Sequence, residues 1–204
     1  MISMVLTKVI NEVWPMLTVF MVAIILVRLF YLKSHREKIV LYKECMYLFS
    51  ILYCWLLFEL LTTTEINSNS SINLVPFEEI LRYSVGSDMF ILNVFGNILI
   101  FLPFGFFISH YVKSKSVWPI LITSTILSIV VETTQLNIGR SFDVDDIILN
   151  VVGSILGYLL YVVLKKIERH LPDFLKSSTF YNILWLVIIA VIAIYFLGYW
   201  KVIF

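Results

Sequence analysis

Six apolar stretches, at 13–32, 39–61, 90–112, 117–136, 146–164 and about 181–197, take up most of a chain of 204 residues. Each comes close to the ~20 residues that an α-helix needs to cross the hydrocarbon core of a bilayer. Inside that core every backbone N–H and C=O must be paired within the segment, so helix is the form such stretches take. The chain is therefore expected to be an all-α integral membrane protein, a bundle of about six transmembrane helices. Composition agrees, with 60% hydrophobic residues and a mean hydropathy of +0.95. Little chain remains for a soluble domain, a long linker or a low-complexity tract, and 1–204 reads as one transmembrane domain.

The net charge of +1 gives no sign of a nucleic-acid partner, but the distribution of charge predicts an orientation. Lys33, Arg36, Lys38 and Lys43 flank the first hairpin, Lys113 and Lys115 the second, and Lys165, Lys166, Arg169 and Lys176 the third. The opposite side carries Lys8, Arg82, Arg140 and Lys201. By the positive-inside rule the richer side is cytoplasmic. Both termini and the 62–89 loop then face outward, with an uncleaved first helix whose basic residues follow it. Cys45 and Cys54, both in the second helix, lie about 13 Å apart along its axis on different faces and are expected to be unbridged thiols.

The outward loop opens with a polar tract, 67–71, and continues as Ile72-Asn73-Leu74-Val75-Pro76-Phe77-Glu78-Glu79-Ile80-Leu81-Arg82. With Pro76 in its first turn, a short helix would gather Phe77, Ile80, Leu81 and Ser84 on one face, and Glu78, Glu79 and Arg82 on the other. Such a helix should lie flat in the outer headgroup region, as a plain connector or as a lid over a site.

Polar residues inside apolar spans are costly unless paired or hydrated. Arg28 and Glu44, near the cytoplasmic ends of the first two helices, are expected to pair. The outer halves carry more. Asn93 and Asn97 share a face of the third helix, with Gly96 beside them for close approach; Thr125, Ser128, Glu132 and Gln135 form a stripe on the fourth; Glu59 lies near the outer end of the second. On the fifth, Asp143, Asp146 and Asn150 run into Gly153 and Gly157, a close-packing pair. A shared cavity opening outward is the economical arrangement. Simpler roles compete: Asp143 or Ser141 as helix cap, Asp145 and Asp146 favoured by the helix dipole, the asparagines as interhelical glue and the glycines as packing. Pro103 removes a backbone bond and should bend the third helix near its middle.

Three sets of residues carry a resemblance: Ile72 to Phe77, Asn93 to Gly105, and Glu132-Thr133-Thr134-Gln135 followed by Arg140 to Gly153. In this order and spacing, over about 59–158, the chain resembles the VanZ-like family. The resemblance implies a bacterial multi-pass membrane protein of the kind linked to teicoplanin-type glycopeptide resistance without remodelling of the D-Ala-D-Ala terminus.

Two mechanisms fit the outer polar residues. In one, an outer-leaflet enzyme, Glu132, Asp143, Asp146 and Asn150 hold Mg²⁺ or Ca²⁺ while Arg140 grips the phosphate of a membrane lipid or a lipid-linked cell-wall intermediate. In the other, a non-enzymatic binder or excluder, the same carboxylates attract a cationic amphiphile. Glu59, Glu132, Asp143, Asp145 and Asp146 outnumber Arg82 and Arg140, so some carboxylates need a cation, a proton or a basic ligand. In either case the candidate ligand set is Asn93, Asn97, Gln135, Asp143, Asn150, Glu59 and Arg82 around Glu132, Asp146 and Arg140, and the antibiotic is affected indirectly. A transporter is the weaker third option, because the polar residues reach only halfway through.

Overall fold

A computed structural model of the chain describes the backbone of residues 2–62 and 71–203, and side chains over 15–59 and 71–194. The polar tract at 67–70 and the side chains of Lys8 and Lys201 lie outside these ranges. The order is α1 (Ile2–Ser34), α2 (Leu41–Thr62), β1 (Ile72–Asn73), α3 (Glu78–Arg82), α4 (Asp88–Phe90), a π-helical turn (Ile91–Phe95), α5 (Gly96–Val112), α6 (Trp118–Asn137), β2 (Phe142–Asp143), α7 (Val144–His170), α8 (Asp173–Lys176) and α9 (Ser178–Ile203). Among the described residues five segments are long and apolar enough to cross a membrane: Pro15–Ser34, Leu41–Glu59, Asp88–Val112, Trp118–Asn137 and Val144–His170. The sixth apolar segment forms α9, of which Ser178–Ile194 is the described apolar part. The chain is thus an all-α membrane protein.

Sequence-coded stops set the helix ends. After α1 the N–H of Glu37 bonds the carbonyl of Leu32 (3.0 Å), that of Arg36 bonds Lys33 (3.3 Å), and Arg36 takes a left-handed φ of 54°. This is a Schellman turn with arginine where glycine is usual. Lys113, at φ 52°, ends α5 with its N–H on Ser109, and Pro119 sits in the first turn of α6.

The chain divides into two compact units, residues 53–169 and residues 1–52 with 170–204. In the latter, Arg28 and Glu44 form the expected pair through two bonds, Nε to Oε2 at 2.8 Å and Nη2 to Oε1 at 3.1 Å. The guanidinium also lies over the rings of Tyr31 and Tyr47. Asn182 of α9 accepts from the Tyr42 N–H at 2.9 Å. Cys45 and Cys54 are free thiols.

The 53–169 unit is built around small residues. A Cβ added to Gly153 would strike the backbone of Ile98, one on Gly157 the Leu102 carbonyl and Phe106 nitrogen, and one on Gly105 the Ser154 carbonyl. α5 and α7 therefore touch backbone to backbone. In lipid, where apolar side chains gain little by meeting each other, such close approach is what holds helices together. Ser109 and Ser124 are fully buried and bond the carbonyl one turn back, which satisfies their hydroxyls without a partner helix. Phe101 and Ile120 are the fully buried large apolar side chains among the described residues, and the Tyr53 hydroxyl donates to Ile100 O at 2.6 Å. Leu99, Ile126 and Val163 face outward, as expected of helices solvated by acyl chains.

One local expectation is corrected, in the outer loop. In the third span α5 runs through Pro103 from Gly96 to Val112, and regular α geometry gives way earlier, at the π-helical turn 91–95. A helix in a bundle tolerates the lost proline N–H, whereas the wide turn falls where Asn93 and Asn97 emerge into a cavity. In the outer loop, Pro76 lies before the short helix rather than in it. Phe77, at φ 68°, separates the two. Of the expected apolar face, Phe77 is 53% and Leu81 79% exposed, while Ile80 lines a cavity.

Candidate functional site

At Gly139-Arg140-Ser141-Phe142-Asp143-Val144-Asp145-Asp146 the chain must leave α6, reverse and enter α7. The reversal is a second Schellman turn. Gly139 takes φ 88°, its N–H bonds Leu136, and the Arg140 N–H bonds Gln135 at 2.9 Å. Phe142 and Asp143 then pair in parallel with Ile72 and Asn73. The Phe142 N–H donates to Ser71 O (2.9 Å), and the Ser71 and Ser141 hydroxyls meet at 2.9 Å. Two loops 70 residues apart are thus fastened together at one end of the helices.

The three aspartates have separate tasks. Asp143, just before α7, accepts the Asp145 N–H at 2.8 Å, as an N-cap does. Its own N–H donates to Glu132 Oε2 (3.2 Å), and the Asn73 amide lies 3.4 Å away. Burial pushes the Asp143 carboxyl above the usual range. The Asp145 N–H and the Asn73 amide work against that rise, while the charges of Asp145 and Glu79 add to it. Asp145, 1% exposed, accepts three backbone N–H groups across the loop junction: Phe77 (2.5 Å), Glu79 (2.9 Å) and Ile80 (3.1 Å). Asp146 accepts from Asn97 Nδ2 at 2.5 Å. The capping role foreseen for Asp143 holds, and a paired role beside Asn97 belongs to Asp146.

A cavity of about 200 Å³ lies over this junction. Its walls are Glu79, Ile80 and Tyr83 from the α3 segment, Leu92, Asn93, Val94, Gly96, Asn97 and Ile100 from the π turn and α5, and Arg140, Asp143, Asp145, Asp146 and Leu149. At roughly 30 Å³ per water it has room for a phosphate or ammonium head with a few waters, and a whole glycopeptide could not enter. Behind it sits a second polar layer. Glu132, Gln135 and Asn150 are buried at 1%, 3% and 1% exposure and do not line the cavity. Asn150 Nδ2 donates to Ser128 Oγ at 2.9 Å, and its buried Oδ1 accepts no hydrogen bond among the described residues.

Of the residues singled out in the sequence, Asn93, Asn97, Arg140, Asp143 and Asp146 come together around the cavity, and Arg140 is close enough to act electrostatically on Glu132 and Asp146. Glu59 is partly exposed on α2 and is not in its wall. Arg82 is 64% exposed and pairs with Glu79 at 2.6 Å, touching the rim only through that partner. Oxygen ligands of this type suit Mg²⁺ or Ca²⁺, but Glu132 and Asp143 already bind backbone N–H groups and Asp146 an amide. Among the described residues no group of three or more His, Cys, Asp or Glu is disposed to hold a metal ion.

Two features escaped sequence reasoning. Asp145 read as a dipole-stabilising residue, yet α3 has no side-chain cap of its own. The Phe77 directly before Glu78 was the available signal that a distant acceptor must serve those N–H groups. Gly96 read as a close-packing residue, but a Cβ placed there meets no atom within 4 Å among the described residues. The close approach belongs to Gly105, Gly153 and Gly157.

No curated protein and no solved structure matches the chain. A sequence profile described as VanZ/LLP1 matches residues 44–165. That span holds the fastened loops, the cavity and the glycine seam, and covers nearly all of the 53–169 unit. The chain belongs to the VanZ/LLP1 family.

Proposed function

We propose that the chain binds the polar head of a cell-envelope lipid, or of a lipid-linked cell-wall intermediate, in the α3–α5–α7 cavity on the outward side of a bacterial cell membrane. It would thereby influence susceptibility to teicoplanin-type glycopeptides indirectly. The observation that carries this reading is a polar cavity of head-group size, with Asp146 held by Asn97 and Arg140 in its wall, at the end of helices whose outer surfaces are apolar. Arg140 supplies a guanidinium for a phosphate, and Asp146 an acceptor for a hydroxyl or ammonium group.

Binding is favoured over turnover by the commitments of the carboxylates. Glu132 and Asp143 are tied into the loop junction, and Asp145 holds the α3 segment in place. His110, the histidine of this unit, lies about 20 Å along α5 from Gly96, out of reach of a nucleophile in the cavity.

The test is native mass spectrometry of detergent-purified protein with phosphatidylglycerol and phosphatidylethanolamine, alongside teicoplanin susceptibility of cells expressing it. Asp146→Asn should lose lipid adducts and the susceptibility change while keeping membrane expression. Wild-type behaviour in both assays would defeat the reading. A thermal shift with Mg²⁺ or Ca²⁺ that Asp146→Asn abolishes would favour a metal-dependent site instead.

A further inference from the structure

Gly96 stands where the cavity meets the lipid-facing surface. It lines the cavity with Leu92, Asn93 and Asn97, and its N–H bonds the Leu92 carbonyl, so these residues share consecutive turns of one helix. Leu92 is both a cavity wall and 39% exposed, and the neighbouring Phe95 and Leu99 are 50% and 62% exposed. Among the described residues no atom lies within 4 Å of a Cβ built on Gly96, in contrast to the three glycines of the seam. The wall is therefore notched at the point where a polar chamber adjoins an apolar strip.

We infer that Gly96 is the portal through which a lipid still resident in the membrane reaches the cavity, its head inside and its acyl chain crossing the notch onto Leu92, Phe95 and Leu99. This rests on the head-group reading and adds the class of ligand, a membrane-resident phospholipid rather than a soluble phosphate or amine, together with its route. A methyl group added at position 96 narrows the passage and meets no described atom within 4 Å.

Full-length protein in detergent is titrated with dioleoylphosphatidylglycerol, with and without excess sn-glycerol 3-phosphate, and lipid adducts are counted by native mass spectrometry. Gly96→Leu should lower retention about tenfold at an unfolding temperature no lower than wild type, and soluble glycerol phosphate should compete poorly. If Gly96→Leu proves unfolded, Gly96→Ala is read in its place, with a smaller loss of about threefold. Wild-type retention in the folded position-96 variant, with loss in Asp146→Asn, overturns the portal and leaves the head-group reading standing. Retention unchanged in both variants overturns the reading and the portal with it. Efficient competition by glycerol phosphate means that the ligand comes from water, which also overturns the portal.

Discussion

α5 and α7 meet in two ways along their length. In the middle, Gly105, Gly153 and Gly157 bring the two backbones into contact, and nothing larger than hydrogen fits. Toward the 72–89 loop the same helices line a cavity, and among the described residues nothing approaches a Cβ on Gly96 within 4 Å. The residue type is identical and the physical reason opposite. A seam of this kind fixes the helices so rigidly that the space at their end can persist, because neither helix can slide inward to fill it without breaking the backbone contact.

That contrast can be broken most severely at the seam. Gly105→Ala or Gly157→Ala forces the helices apart, at a cost on the order of 4 kcal/mol. Thermal unfolding in detergent should show a large drop or no folded protein; a melting curve like wild type would mean that the close approach is not the main helix contact. Next comes Asp145→Ala, which strips three N–H groups of a buried acceptor for about 3 kcal/mol, localised to the loop junction. Hydrogen exchange at Phe77, Glu79 and Ile80 should accelerate while α5 and α7 stay protected, and unchanged exchange would remove Asp145 from its fastening role.

A smaller effect of opposite sign is expected at the cavity. Gly96→Ala keeps an ordinary helical φ and adds a methyl to open space, so unfolding should become harder by about 0.5–1 kcal/mol even as ligand retention falls. Destabilisation would show that position 96 is packed after all.

The smallest effect is one of pH. Because the Asp143 carboxyl is held above its usual range by burial, its protonated form is favoured in the folded junction. Its contribution to stability is full below the unfolded pKa and declines as pH rises through the raised folded value. Asp143→Asn should flatten that decline, whereas pH should leave the effect of the seam variants unchanged. A steeper profile in Asp143→Asn would contradict the assignment.

The spans, the Arg28–Glu44 pair and the buried Ser128–Glu132–Gln135 stripe were legible because each follows from helical spacing and the cost of charge in lipid. Asn97 and Asp146 were marked as facing residues by the same logic. The parallel pairing of Ile72–Asn73 with Phe142–Asp143 was not, since two residues are too few to show an alternating pattern and the partners lie 70 positions apart. Asp145 does sit in the first turn of α7, but its fastening role was hidden for the same reason: its partners are 65 to 68 positions away. The difference between Gly96 and Gly105 is invisible in sequence, because a missing side chain marks a contact or a void according to where the neighbouring helix lies.

The most direct measurement of the central claim is photo-crosslinking in membranes with a phospholipid carrying a diazirine in its head group, followed by peptide mapping. Labelling is expected at Tyr83, at 92–97 and at Arg140, and is lost in Asp146→Asn. Labelling spread over the outer faces of the helices and indifferent to Asp146 would contradict it.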